Sequence, residues 1–176
     1  MGEFNKEAMM KAWAEAAALG AKHKALEHFL GSWETSTKVW MEGPQGPATE
    51  SKGTVESRWL VEGRWLIEEV NGEMMGQPFR GVALTGYDNV KKKYVGLWID
   101  NMSTAMMRFE GNFFDEGRTF VLYGGYDDPF SGEHDRIQRY VTRIQGDDRH
   151  TMEIHDMSVS IEGSKMMEME YRRKKR

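Results

Sequence analysis

The chain has no cysteine and only 4 prolines in 176 residues. Without cysteine there is no disulfide and no thiolate metal site, so stability rests on packing and backbone hydrogen bonding. An excess of basic charge is also missing. Lys and Arg number 24 against 28 Asp and Glu, a net charge of -4, which offers no broad field to a nucleic-acid backbone. No apolar run is long enough to span a bilayer, and acids and lysines interrupt residues 1–19 throughout, unlike the apolar stretch of a secretory leader. The expectation is a cytoplasmic protein with no nucleic-acid partner and no membrane span. Gly2 would suit N-myristoylation, but Lys6 stands where that motif takes Ser or Thr. A Gly-x-Ser-x-Gly elbow, a phosphate loop and a dinucleotide glycine fingerprint are absent as well.

What is present is punctuation. Asn5 is placed to cap a first helix, with Phe4 and Met9 as a hydrophobic staple and Met9, Met10, Trp13 and Ala17 on one face; Gly20 ends it. A second helical piece over 22–30 brings Leu26, Phe29 and Leu30 together as a stripe that docks on a core. From Gly31 onward the hydrophobic period changes to two. Ten strands are expected, at about 32–41, 50–61, 64–71, 79–88, 94–102, 106–114, 119–126, 137–144, 151–157 and 165–172. Glu62-Gly63, Asn71-Gly72, Asp115-Glu116-Gly117 and Gly146-Asp147-Asp148 supply turns between them. Short connections with no helical spacer demand antiparallel neighbours, and a long meander loses its exposed edges by closing into a barrel. The expected layout is a helical extension and plug over 1–30, a barrel over 31–174, and a solvated basic end at 175–176.

Gly31-Ser32-Trp33, following the Leu26, Phe29 and Leu30 stripe, resembles the start of a lipocalin-like barrel, which implies a helix at its base and a tryptophan under the first strand. The stretch from His23 to Glu34 resembles the opening of the domain of unknown function 1579 family. Gly53-Thr54-Val55, Gly76-Gln77-Pro78-Phe79-Arg80-Gly81, Gly86-Tyr87-Asp88-Asn89, Trp98-Ile99-Asp100-Asn101-Met102-Ser103-Thr104 and Tyr171-Arg172-Arg173-Lys174 follow that family's pattern in order. Glu62-Gly63-Arg64 departs from it, having one glycine before the arginine where the family tends to have two. The resemblance implies an all-β, antiparallel up-and-down calycin-type barrel of about ten strands with N-terminal helices, and no activity. By similarity to lipocalins, Trp33 closes the floor under an arginine of the last strand, Arg172 or Arg173, with Arg172 taken as the structural partner.

Strand parity gives a candidate lining. Thr35, Thr37 and Val39 share the face of Trp33; Ala83, Thr85 and Tyr87 form a second inward set, and Gly96, Trp98 and Asp100 a third. Thr35, Thr37, Tyr87, Trp98 and Asp100 are the expected ligand contacts. Asp100 beside the Trp98 indole could act as a base helped by Tyr87, or simply accept a hydrogen bond at the barrel mouth. Arg108 and Glu110 are expected outside, whereas Arg139 and Arg143 stay open.

No metal site is indicated. His23 and His28 align poorly on a helix, and His150 and His155 fall on opposite strand faces. Haem ligation of the nitrobindin type would fall to His155, whose neighbours Met152 and Ile154 do not both share its face, so no cofactor is expected. The acidic loop 127–135 lacks EF-hand spacing and reads as a long mobile rim. The 14 methionines serve as core filler or line an adaptable cavity. Several strands, Arg58-Trp59-Leu60-Val61 among them, are apolar on both parities, so the helical N-terminus or a second subunit should cover the outer wall, and the rarity of exposed apolar patches on monomers favours a homodimer. The functional expectation is a container for a small, mostly apolar ligand; a cofactor-independent enzyme using Asp100, a protein-interaction or homodimer module and, last of all, a haem binder are the alternatives.

Overall fold

The computed structural model describes residues 5–159 and 164–175. Ten antiparallel strands close into one barrel: β1 (Gly31–Val39), β2 (Thr49–Trp59), β3 (Trp65–Met74), β4 (Gln77–Asp88), β5 (Lys93–Asp100), β6 (Met107–Phe114), β7 (Thr119–Tyr126), β8 (Arg136–Gly146), β9 (Arg149–Asp156) and β10 (Ser164–Arg173). Each pairs with its neighbours in sequence, and β1 also pairs with β10, so no edge is left open. Two helices precede the barrel, α1 (Lys6–Ala17) and α2 (Ala21–Lys24), and α2 runs into a 3-10 turn at Ala25–Phe29. No helix among the described residues is long and apolar enough to cross a membrane.

Closure depends on glycines that let strands or rings come close. A Cβ on Gly81 would lie 2.3 Å from the Trp98 indole, and one on Gly124 2.4 Å from the Phe109 ring. An aromatic on one strand thus lies flat over a bare backbone on the next. Gly53 and Gly72 do the same for backbone: a Cβ on Gly53 would sit 2.6 Å from the Asn71 carbonyl oxygen. That overturns the turn expected at Asn71-Gly72. Both residues lie inside β3, and the chain reverses at Met75-Gly76, where φ is 50° and 73°. At Glu62-Gly63 both φ values are positive, 40° and 74°, as a tight hairpin requires.

The second helical piece is the plug. Leu26 and Phe29 are buried in a cluster with Leu66, Tyr94 and Phe120, against which Tyr87 and Phe113 also pack. Fully burying such a side chain contributes about 1.5–3 kcal/mol. Two polar contacts fix its position, Tyr94 Oη donating to the Lys22 carbonyl at 2.8 Å and Trp33 Nε1 to the Phe29 carbonyl at 2.8 Å. By contrast α1 buries no residue. It is capped at its start, where Asn5 accepts from the Ala8 amide, and tied at its end by Asn89, which donates to the carbonyls of Ala16 and Ala18. Met9, Met10 and Trp13 remain exposed, so this helix neither plugs the barrel nor covers its wall. Phe4, the expected staple partner, lies outside the described residues.

Candidate functional site

Register defines the lumen. The pairs Trp33↔Val55, Val55↔Val70, Val70↔Gly81 and Gly81↔Asp100 carry one inward face around β1 to β5, and Gln138↔Asp156 and Thr142↔Met152 continue it on the far wall. Thr35, Thr37, Tyr87, Trp98 and Asp100 all take inward positions. They do not form one group, however. Tyr87 belongs to the floor, against His23 and Tyr94. Asp100 stands at the mouth opposite Gly81, six residues along β4 from Tyr87 and so about 20 Å away.

Nearer the mouth the lining changes character. Trp33 and Tyr171 on the floor side are buried together with Val55 and Val70, while Phe79, Trp98, Met152 and Met169 pack against this cluster and keep accessible surface. The rings of Phe79 and Trp98 stack at 6.1 Å. Such a wall is apolar and polarisable, and part of its surface stays accessible. Asp100 is spoken for: Oδ2 accepts from Trp98 Nε1 at 2.6 Å, and Oδ1 from the amides of Met102 and Ser103 at 2.9 and 3.2 Å. Its carboxylate orients the indole and closes a turn.

The acid that parity reading missed is Glu68. It lies on β3 between the inward Leu66 and Val70, opposite Ser57 on β2 and Ala83 on β4. Protein encloses it, yet it retains some accessible surface, which faces the barrel axis. Burial pushes its carboxyl up to about 7, against a weak contact from Ser57 Oγ at 3.5 Å. Tyr171 feels it as well: burial and the Glu68 charge raise the phenol well above the ordinary tyrosine range. In Leu66-Ile67-Glu68-Glu69-Val70 both parities hold an apolar residue and a glutamate, so the sequence alone does not say which acid turns inward.

The floor joins residues remote in sequence. His28 Nε2 is 3.3 Å from His150 Nδ1, and the His150 ring stacks on Tyr171 at 4.2 Å. Burial, reinforced by His28 and Arg173, lowers His150 to about 3, so its imidazole stays neutral. Comparing histidines only within one element concealed this pair. The arginine over Trp33 is Arg173, with its guanidinium 4.0 Å from the ring centre. Arg172 is the correction: it pairs in register with Glu34, points outward and binds Glu170. A two-residue period allows only one of two adjacent arginines to face in. Tyr171 and Arg173 therefore belong to the core and floor.

His155 does not fit a haem ligand. It lies outside, Nε2 3.2 Å from Glu153 Oε2, in the cluster where Arg143 also binds Glu153. Arg139 shares that outer face, across from Tyr123 and His155. Glu110 is outside too, paired with Lys93 at 2.6 Å and Lys91 at 3.7 Å. Among the described residues no three His, Asp or Glu side chains converge as a metal site. The loop read as a mobile rim is fastened: Arg136 binds Asp128, Glu133 and Asp156 together, and Tyr126 Oη donates to Asp156.

A groove of about 530 Å³ crosses the outer wall, lined by Trp65, Leu84, Val95, Leu97, Tyr123 and Ile137, with Arg108 among them. It covers apolar outward positions of β3, β4, β5, β7 and β8, whereas Leu60 and Val61 lie past the end of β2 and stay exposed.

The profile of the family "Protein of unknown function (DUF1579)" matches residues 18–173. The chain belongs to that family. Solved structures place this DUF1579 barrel among lipocalin-like folds. Rv2717c from M. tuberculosis superposes with a TM-score of 0.64 at 14% identity, covering 90% of this chain and 100% of that one. The S-type phycobiliprotein lyase CPES from Guillardia theta gives 0.58 at 12% identity, covering 87% and 92%. At such identities the likeness is one of fold. No curated protein matches the DUF1579 chain significantly.

Proposed function

We propose that the barrel binds one small, mostly apolar molecule in the mouth half of its lumen. The observation that carries this reading is the contrast between the two halves. Leu26, Phe29, Leu66, Tyr94 and Phe120 fill the floor, whereas the inward Phe79, Trp98, Met152 and Met169 keep accessible surface. Aromatic and thioether groups that are not fully packed gain contact from a ligand. Of the expected contacts, Trp98 and Thr37 lie on that part of the wall, and Asp100 holds the indole in place. The likeness in fold to a phycobiliprotein lyase agrees with a barrel that takes a small molecule. Catalysis by Asp100 and Tyr87 has no geometric support, since the two residues stand at opposite ends and the acid is already engaged.

The outer groove favours a second reading, a homodimer mate seated on Leu84, Leu97, Tyr123 and Ile137. One experiment separates the sites. Titration with a neutral naphthylamine dye should show saturable binding that Ala83→Phe, which fills the lumen beside Glu68 and Trp98, abolishes while the far-UV spectrum is unchanged. Loss of dye binding in Leu97→Glu instead, or no saturable binding at all, overturns the lumen reading. Light scattering of the same Leu97→Glu protein reports on the dimer, which should fall to half its mass.

A further inference from the structure

The charged side chains on inward positions of the described strands are Glu68, Asp100, Arg136, Asp156 and Arg173. Four of them are held in ion-pair or hydrogen-bond networks of the protein. Arg173 donates to the carbonyls of Leu30, His28 and Asp147, and Arg136 is surrounded by Asp128, Glu133 and Asp156. Asp156 also accepts from the Ser158 amide, and Asp100 from Trp98, Met102 and Ser103. Glu68 stands apart from these networks. Its contact in the barrel is Ser57 Oγ at 3.5 Å, and among the described residues no lysine, arginine or histidine answers its charge.

A carboxyl enclosed by protein without a counter-charge is costly to the fold, and a ligand that brings the missing charge recovers that cost on binding. Its surroundings suit such a ligand. Tyr171 faces Glu68 closely enough to sense its charge, and the Val70, Phe79, Trp98 and Met169 wall continues from it toward the mouth. Aromatic faces attract cations as readily as they pack hydrocarbon. We propose that the lumen is built for an apolar molecule carrying one protonated nitrogen, with Glu68 as its counter-charge. This rests on the lumen being the ligand site and names the class of ligand it takes.

The test compares n-decylammonium, n-decanol and n-decanoate, equal in chain length and different in headgroup, as competitors of the naphthylamine dye against the wild type and Glu68→Gln. The amine should displace dye at a concentration at least about tenfold below that of the alcohol, with the carboxylate weakest. In Glu68→Gln the amine should fall to the level of the alcohol, and the alcohol should be unchanged. An equal or better carboxylate, or an amine preference that survives Glu68→Gln, overturns the inference while leaving the lumen a ligand site. Failure of all three probes to displace a dye that Ala83→Phe also fails to block overturns both. The ranking of the three headgroups on the wild type stands as a test even if the variant does not fold.

Discussion

Arg173 lays its guanidinium over the Trp33 indole at 4.0 Å and at the same time donates to the carbonyls of Leu30, His28 and Asp147. One side chain therefore bolts the last strand to the plug, to the floor tryptophan and to the β8–β9 turn. Adding the cation–π attraction to charged hydrogen bonds, Arg173→Ala should cost about 2–4 kcal/mol. Arg172→Ala, one residue away on the outer face, should stay within about 0.5 kcal/mol of wild type. Urea denaturation of the two variants checks this, and equal midpoints would refute the assignment.

Gly81 leaves room for the Trp98 ring. Its added Cβ would meet two ring carbons at 2.3 Å, so in Gly81→Ala the indole must move and release Asp100 Oδ2. Overpacking and the broken hydrogen bond together should cost about 2–3 kcal/mol. Gly125→Ala is the control, because its Cβ meets nothing nearer than the Arg136 carbonyl oxygen at 4.0 Å. Melting curves and tryptophan emission should change in the first variant and not in the second.

Much of the barrel was legible because its signals are local. A two-residue period and turn residues place each of the ten strands to within a few positions, and β7 to the residue. Asn71-Gly72 misled because glycine serves close approach as well as turns, and only the position of Gly53 across the sheet tells which. The candidate site was less legible. Thr37, Trp98 and Asp100 follow from parity, but Glu68 sits in a strand with apolar residues on both faces, where parity does not discriminate. The His28–His150 contact spans 122 residues and depends on barrel closure, which no local pattern encodes.

Asn89 secures a helix that buries nothing. A 12-residue helix is marginal in water, and α1 relies on Asn5 at one end and on Asn89 with Arg64 at the other. Asn89→Ala should therefore speed amide exchange across α1 severalfold and leave barrel exchange as it was. The barrel midpoint should move by less than about 0.5 kcal/mol. A cooperative loss of protection in β4 and β5 would show instead that α1 is integral to the barrel.

Glu68 and His150 give the fold opposing responses to pH. Burial raises the Glu68 carboxyl from 4.5 to about 7, so between those values the native state binds the extra proton and stability falls as pH rises. Burial lowers His150 from 6.5 to about 3, so there the unfolded state binds the extra proton and stability falls as pH drops. His28, also lowered by burial, adds to the second effect. Each full proton is worth about 1.4 kcal/mol per pH unit, and the windows overlap between pH 4.5 and 6.5. In the wild type Glu68 and His150 nearly cancel there, which leaves a shallow rise in stability with pH from His28. Glu68→Gln should expose the histidine slope, gaining about 3 kcal/mol across that interval as pH rises, and His150→Gln should lose a similar amount. Denaturation midpoints at four pH values suffice, because any pH-independent cost of substitution shifts a curve without tilting it. Parallel curves for the three proteins would mean that neither group changes protonation on folding, and the buried carboxyl at the centre of the lumen would then be charged at neutral pH.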